Sequence, residues 1–417
     1  MIAISGYTIS SKIYESSSSL VYRAARNSDG IKVILKVLRH NTTDKIAKFK
    51  QEYEITRSLQ HLEGVIKVWG WEQLGKNLSC MTLEDFGGES LKNLMAKRSF
   101  PLAEILSIAI NVSETLGEIH AASIIHKDIN PANILLHPET GEVKIIDFGI
   151  ALLLSRENPT IKSPTFLEGT LPYISPEQTG RMNRAVDYRT DFYSLGVTFY
   201  EMLTGRVPFD TQDPMELVHA HIAKQPIPPH EVNPEVPEPL SQLVMKLLAK
   251  TAEDRYQSAW GIKADLVLCL MQLEANGIIE ELIPGDNDVS DKFQIPQKLY
   301  GREAEVAALL AALERASAGS QEMMLISGYS GIGKSSLVQE IYHRKVKGAR
   351  REQAKLGYLI TGKFDQYQRQ VPYSGLVLAF ADLVRQLLME SDAHLQQWRE
   401  KILTACGAHG QILIDVI

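Results

Sequence analysis

Cysteine is scarce: the 417 residues hold only Cys80, Cys269 and Cys406, far apart and odd in number. That excludes a disulfide framework and a Cys-x-x-Cys metal pair, and a reducing, cytoplasmic compartment is expected. Long apolar runs are missing too. No stretch approaches the roughly 18 residues of a membrane span, and the first residues lack the positive end and apolar centre of a signal peptide, so no membrane partner is expected. A basic excess is also absent. The net charge is -6 with the signs interspersed, which removes the electrostatic footprint that nucleic acid requires. A chain of this length predicts two or three domains, each with ample material for a core.

What is present is concentrated in residues 126–149. The stretch opens His126-Lys127-Asp128-Ile129-Asn130-Pro131-Ala132-Asn133 and closes Asp147-Phe148-Gly149. Between them lie Ile134, Leu135 and Leu136, a turn at 138–141 and a second strand-like run at 143–146. The order loop, strand, turn, strand, loop brings Asp128, Asn133 and Asp147 to one edge of a sheet. Such a placement serves an enzyme in which one group orients a hydroxyl and two others hold Mg²⁺ on a triphosphate. The stretch resembles the catalytic and metal loops of eukaryotic-type (Hanks-type) Ser/Thr protein kinases.

The resemblance extends to both sides. Residues 7–37 predict a hairpin with its turn at Asn27-Ser28-Asp29-Gly30. The family's phosphate loop falls on residues 13–24, where Tyr14, Ser16 and Ser19 stand in place of glycines. Ser16, Ser19 and Val21 are then candidate ATP-binding residues, with the hydroxyls as donors; an ordinary serine-rich turn is the alternative. Lys36, in Val33-Ile34-Leu35-Lys36, takes the place of the lysine on the α- and β-phosphates. A helix over 43–59 presents Ile46, Phe49, Tyr53, Thr56 and Leu59 on one side, with Glu52 at the border. The resemblance makes Glu52 the partner that aligns Lys36, and surface charge is its plain alternative. The hinge follows a strand at 78–83, with Leu83 as gatekeeper. Backbone groups of Glu84 and Phe86 there would bond the adenine edge, with side-chain identity of little weight.

In the large lobe a helix opening at Pro101 carries Ile105, Ile108, Val112, Leu116 and Ile119 as core. Ser155, Thr160, Ser163 and Thr165 fall where an activation loop belongs, each a candidate for phosphorylation. Lys127 replaces the arginine that commonly receives such a phosphate, so activation is expected to depend on it weakly. Residues 169–177 resemble the substrate-docking segment, in which Thr170 favours Ser/Thr substrates. Asp191 takes the place of the acid that holds the catalytic-loop backbone, and Arg255 is placed to pair with Glu177.

Beyond roughly residue 273 a second pattern begins. Periodicity fails over 275–297, a linker rich in glycine, proline and aspartate. An apolar strand at 323–326 then leads into Gly328-Tyr329-Ser330-Gly331-Ile332-Gly333-Lys334-Ser335 and a helical stretch. In such a P-loop the backbone from Gly328 to Gly333 surrounds phosphate, Lys334 meets the β/γ oxygens and Ser335 holds Mg²⁺. Tyr300-Gly301-Arg302-Glu303 resembles the entry motif of AAA+/STAND-type signalling ATPases. Only Ile412-Leu413-Ile414-Asp415 offers an acidic strand end, without a second acid. The ATPase fold is therefore expected to be truncated, binding nucleotide rather than turning it over.

The expected fold class is an α+β two-lobed protein kinase fold over 1–274, with a small lobe 1–84 and a large lobe 88–274. A linker, 275–297, and an incomplete α/β P-loop NTPase domain, 298–417, follow. The arrangement resembles the front of bacterial hybrid signalling proteins, whose later sensor and histidine-kinase modules would be partners. The implied activity is transfer of the γ-phosphoryl group of ATP, with Mg²⁺, to Ser/Thr hydroxyls of a protein substrate. Asp128 would accept the proton, and Asn133 and Asp147 would hold the metal. Two alternatives stay open. One is a nucleotide-binding regulatory pseudokinase, favoured by the glycine-free loop, by Ile34, and by Asn130 where Ser/Thr kinases place a lysine. The other is a P-loop switch with the kinase domain as its input.

Overall fold

The computed structural model describes residues 4–16, 18–39, 42–74, 78–153, 169–180, 186–211, 213–280, 282–286, 288, 301–329, 334, 337, 338, 360, 362, 374–387 and 392–406. The chain divides into two compact units, Met1–Lys292 and Phe293–Ile417. Among the described residues no helix is long and apolar enough to cross a membrane.

The first unit begins with strands β1 (Tyr7–Glu15), β2 (Ser19–Arg26) and β3 (Lys32–Leu38), helix α1 (Thr43–Ser58), and strands β4 (Val68–Leu74) and β5 (Leu78–Glu84). The strands form one antiparallel sheet in the order β1-β2-β3-β5-β4. Period-two alternation explains its two faces. Val33, Leu35 and Val37 are buried in a core with Leu20, Tyr22 and Ala24, so Ile34 and Lys36 point the other way. On that side Phe49 of α1 packs on Trp71 of β4, ring centroids 5.1 Å apart, with Leu38 and Met81 alongside. Lys36 is therefore held on the helix-facing side of the sheet.

The large lobe follows: β6 (Glu89–Ser90), α2 (Leu91–Met95), α3 (Leu102–Ala121), β7 (Ile124–Ile125), β8 (Ile134–Leu136), β9 (Val143–Ile145) and β10 (Leu152–Leu153). The Ser90 hydroxyl caps α2 by accepting the Asn93 N–H at 3.4 Å. Ile105, Ile108, Val112, Leu116 and Ile119 of α3 are all buried, as their helical spacing predicts. Strands β8 and β9 make the short hairpin across residues 126–149, turning at Gly141 with φ of +71°. Ile145 donates to the Gly64 carbonyl at 2.8 Å, and Ile66 to the Ile145 carbonyl at 3.2 Å, so the chain leaving α1 is bonded to the hairpin.

Helix α4 (Arg189–Thr204) is buried along nearly its whole length and ends at Gly205 in the left-handed conformation that C-caps favour. Around it lie α5 (Pro214–Ala223), α6 (Pro229–Val232), α7 (Glu238–Leu247) and α8 (Ala259–Asn276). Past α8 the chain stays bonded to this lobe. Lys246 donates to the Pro284 carbonyl at 2.7 Å, Gly285 to Asp265 at 2.7 Å, and Ser258 to Asp288 through N–H and hydroxyl at 3.0 and 2.8 Å. The linker pattern over 275–297 thus begins with a segment tied to α7 and α8.

One buried histidine gives this lobe a pH signature. His221 of α5 is fully buried, 3.0 Å from the Tyr193 hydroxyl, and burial, with Lys250 adding, drives its pKa down to about 3. Lys250 lies over the Phe209 and Tyr193 rings, and burial, with Arg255 adding, lowers its pKa to about 7. Below about pH 6.5, the value of an unfolded histidine, the unfolded chain takes up a proton that the folded chain refuses. His221 thus costs about 2 kcal/mol of stability between pH 6.5 and pH 5. Urea unfolding of wild type and His221→Gln at pH 7, 6 and 5 should show the difference between the two proteins shift by about that amount in favour of the variant as the pH falls, a comparison in which the groups common to both cancel.

In the second unit α9 (Glu303–Ser317) and helices Ser374–Leu387 and Asp392–Cys406 are formed. The apolar run 323–326 is not a strand among the described residues, and Met323 and Leu325 are 83% and 86% exposed. Among the described residues nothing pairs with it, and a strand's N–H and C=O groups need such a partner.

Candidate active site

Two side-chain clusters meet where β3, α1 and the β8–β9 hairpin converge. In the first, the Lys36 ammonium lies 2.6 Å from Glu52 Oε1 and 3.1 Å from Asp147 Oδ1. Lys36 and Glu52 are both buried. Burial works against the charge on Lys36, but the Asp147 and Glu52 carboxylates outweigh it and hold the ammonium above its ordinary pKa. Burial likewise opposes ionisation of Asp147, yet Lys36 keeps that carboxyl below the usual range. Glu52 is pushed up to about 7 by burial, which Lys36 opposes and Asp147 reinforces. One ammonium therefore serves two carboxylates, with Asp147 the more acidic.

Asp147 sits in the left-handed region, φ +66°, which aspartate tolerates better than most residues. Its Oδ1 accepts the Gly149 N–H at 3.2 Å, an Asx turn that offsets the strain. A Cβ at position 149 would lie 3.0 Å from that oxygen, so the glycine leaves the carboxylate its room.

The second cluster is the catalytic-loop candidate. Asn133 Nδ2 donates to Asp128 Oδ2 and to the Asp128 carbonyl, both at 2.9 Å, while the Thr170 N–H donates to Asp128 Oδ1 at 2.9 Å. Ile146 donates to the Asn133 carbonyl at 2.9 Å, which sets Asn133 beside the chain entering Asp147. Behind the loop, buried Asp191 accepts the N–H groups of His126 at 2.9 Å and Lys127 at 2.7 Å. Lys127 is itself in the left-handed region, φ +69°, and Gln178 holds its carbonyl at 2.7 Å. His126 Nε2 lies 3.0 Å from the Ile146 carbonyl, and its Nδ1 accepts the Asp128 N–H at 3.2 Å. Those two bonds require the Nε2-protonated tautomer.

Of the other residues predicted from sequence, Val21 stands directly opposite Lys36 across β2 and β3, and Ile34 opposes Leu83 across β3 and β5. Ser16 and Ser19 close the β1–β2 turn upon themselves. In the second unit the Lys334 ammonium is folded onto the carbonyls of Gly328 and Tyr329, 2.8 Å from each. Gly333 and Ser335, and the activation-loop hydroxyls Ser155, Thr160, Ser163 and Thr165, lie outside the described residues.

Three features escape a reading of the sequence. Asn130, in the place of a lysine, donates to the Asp128 carbonyl at 3.0 Å and to Thr170 Oγ1 at 3.3 Å, and accepts the Ala132 N–H at 2.9 Å. It braces the loop without a charge. The hinge side chains matter more than their backbone roles suggest: Lys144 of β9 pairs with Glu84 at 2.6 Å and lies 4.8 Å from the Phe86 ring centroid. A lysine inside a strand of buried residues is the signal that was available. Asp85 also binds Arg23 of β2, at 2.8 Å.

Among the described residues no group of three or more His, Cys, Asp or Glu side chains forms a metal site by itself. Asn133 and Asp147 offer two hard oxygen donors instead, which fits a magnesium-type ion completing its shell with phosphate and water. Lys36 in the same cluster fits an anionic ligand.

A five-stranded lobe and a helical lobe meeting at a lysine–glutamate–aspartate cluster and an aspartate–asparagine loop define a two-lobed protein kinase. The chain belongs to the protein kinase domain family, which matches residues 7–265, and an AAA ATPase domain matches residues 298–416. It is 31% identical over 399 residues to hybrid signal transduction histidine kinase G of Dictyostelium discoideum, covering 75% of this chain and 11% of that protein. It is 34% identical over 266 residues to a probable serine/threonine-protein kinase of Clostridium perfringens, covering 62% of this chain and 38% of the relative. Serine/threonine-protein kinase pkn3 of Myxococcus xanthus is 31% identical over 272 residues, covering 62% of this chain and 49% of that one. The chain therefore spans half or less of the length of each of these relatives.

Proposed function

We propose that the first unit is an ATP-dependent protein kinase acting on Ser or Thr hydroxyls in a signalling protein, and that its metal is Mg²⁺. The observation that carries this reading is the buried Lys36 ammonium between Glu52 at 2.6 Å and Asp147 at 3.1 Å, with α1 packed in place. A lysine held charged and aimed at the metal-side acid is prepared for phosphate.

Bound ATP with its metal supplies the phosphoryl group and neutralises its charge. The residues of this chain do the rest. Lys36, aligned by Glu52, positions the α- and β-phosphates, and Asn133 and Asp147 offer oxygens to the metal. Asp128 orients the substrate hydroxyl and takes its proton, steadied by Asn133 and by the Thr170 N–H. Glu84 and Phe86 meet the adenine edge through their backbone, and Val21 covers the nucleotide from β2.

In the second unit we assign nucleotide binding to the loop of Gly328, Gly333, Lys334 and Ser335. We place the protein in the cytoplasm and take sensor or histidine-kinase modules as its signalling partners, by likeness to the hybrid relative.

The test is transfer of labelled γ-phosphate to a generic Ser/Thr protein substrate, with Asp147→Asn as comparison. Wild type should label the substrate only with a divalent ion present. Loss of the metal-side carboxylate should cut the rate by at least about 100-fold. Equal background labelling by both proteins would sink the enzyme reading and favour a regulatory nucleotide-binding module.

A further inference from the structure

The turn between β1 and β2 is closed by its own side chain. Ser16 Oγ accepts the N–H groups of Ser19 at 3.0 Å and Ser18 at 3.2 Å. Its proton has the Ser19 carbonyl at 3.3 Å, or the Ser18 or Ser19 hydroxyl at 3.2 Å, as acceptor. The main chain repeats the closure, with the Ser16 N–H on the Ser19 carbonyl at 2.9 Å. Arg39 braces it from the end of β3: its N–H meets the Ser18 carbonyl at 2.8 Å, its guanidinium meets the Ser16 carbonyl at 3.2 Å, and Glu15 pairs with it at 2.9 Å.

These amides sit at the tip of the hairpin that sets Val21 opposite Lys36. Successive N–H groups in a tight turn are the donors a phosphate anion uses. Here one hydroxyl oxygen engages two of them. We infer that Ser16 is an internal competitor for the triphosphate: its Oγ occupies the acceptor position that a phosphate oxygen would take, so ATP must break the turn's own hydrogen bonds to engage the amides. This inference deepens the kinase reading and rests on it. It also gives the missing glycine a direction of effect. The serine lowers nucleotide affinity by holding the turn shut.

The experiment measures binding of a fluorescent ATP analogue, with Mg²⁺, to the full chain carrying Lys334→Ala, so that the first unit is the site observed. Ser16→Ala and Ser16→Gly each free the two amides, and binding should tighten about three- to tenfold, the worth of one net hydrogen bond. Ser16→Thr keeps the oxygen and should bind as weakly as the parent. Saturable binding that is abolished by Lys36→Ala but is unchanged or weakened in Ser16→Ala and Ser16→Gly would overturn the inference and leave the kinase reading standing. No saturable binding in any of these proteins would overturn both.

Discussion

Asp128→Asn should lower phosphoryl transfer by about 10²- to 10⁴-fold while moving the thermal midpoint by no more than about 3 °C. The size follows from what the substitution changes. Asparagine has the shape of aspartate, so the loop bonds made by the Asp128 carbonyl to Asn130 and Asn133 are kept. It loses the charge and the basic oxygen. Both carboxylate oxygens now face donors, Asn133 Nδ2 on one side and the Thr170 N–H on the other, each at 2.9 Å. An amide can satisfy only one of them with its own oxygen, so one of these two hydrogen bonds is lost. A merely structural aspartate would show the reverse pattern, with the midpoint falling and the specific activity of the folded fraction preserved. Initial rates on a Ser/Thr substrate, normalised to folded protein, separate the two.

The two lobes were legible because their signals are local. The period of Ile105, Ile108, Val112, Leu116 and Ile119 specifies a core helix whatever it packs against, and the residues around Asp128 and Asp147 keep the spacing that a short hairpin demands. What was not legible depends on partners distant in sequence. Lys144 looks like an interruption of a strand until Glu84, sixty residues earlier in the chain, is found 2.6 Å away. Asn130 reads as a lost positive charge until its amide is seen joining the Asp128 carbonyl to the Thr170 hydroxyl. Ser16 reads as a possible donor to phosphate, and only the turn geometry shows that its oxygen also accepts two amides. The run at 323–326 failed for the opposite reason: its composition suits a strand, but pairing is a property of neighbours, and composition does not report them.

Arg255→Ala should be the most destabilising single change in the first unit, costing about 3–5 kcal/mol. The Arg255 side chain is wholly buried and meets Glu177 in a two-pronged pair, Nη1 to Oε1 at 2.6 Å and Nη2 to Oε2 at 2.9 Å. It also donates to the carbonyls of Ala249 at 2.8 Å and Arg189 at 2.9 Å, and the Thr190 hydroxyl donates to Glu177 at 2.8 Å. Removing the guanidinium leaves a carboxylate buried beside orphaned carbonyls, and that uncompensated charge is the main cost. The pH dependence identifies it. In the wild type, burial opposes ionisation of Glu177, but Arg255 holds its carboxyl below the usual range. The pair's contribution is therefore present above an unfolded glutamate's value of about 4.3 and is lost as pH falls through the lower folded value. In Arg255→Ala burial is opposed only by the Thr190 hydroxyl and a backbone N–H, so that carboxyl rises and the variant recovers relative to wild type as the pH falls. Glu177→Gln combined with Arg255→Ala should be more stable at pH 7 than Arg255→Ala alone, because the stranded charge is gone. Urea unfolding of the three proteins at pH 7 and pH 5 checks both statements. A gap between wild type and Arg255→Ala that stays constant with pH would show that lost packing, and not a stranded carboxylate, is what the arginine prevents. Since Glu177 closes the segment that begins at Thr170, the same variant should raise the KM for protein substrate more than it raises the KM for ATP.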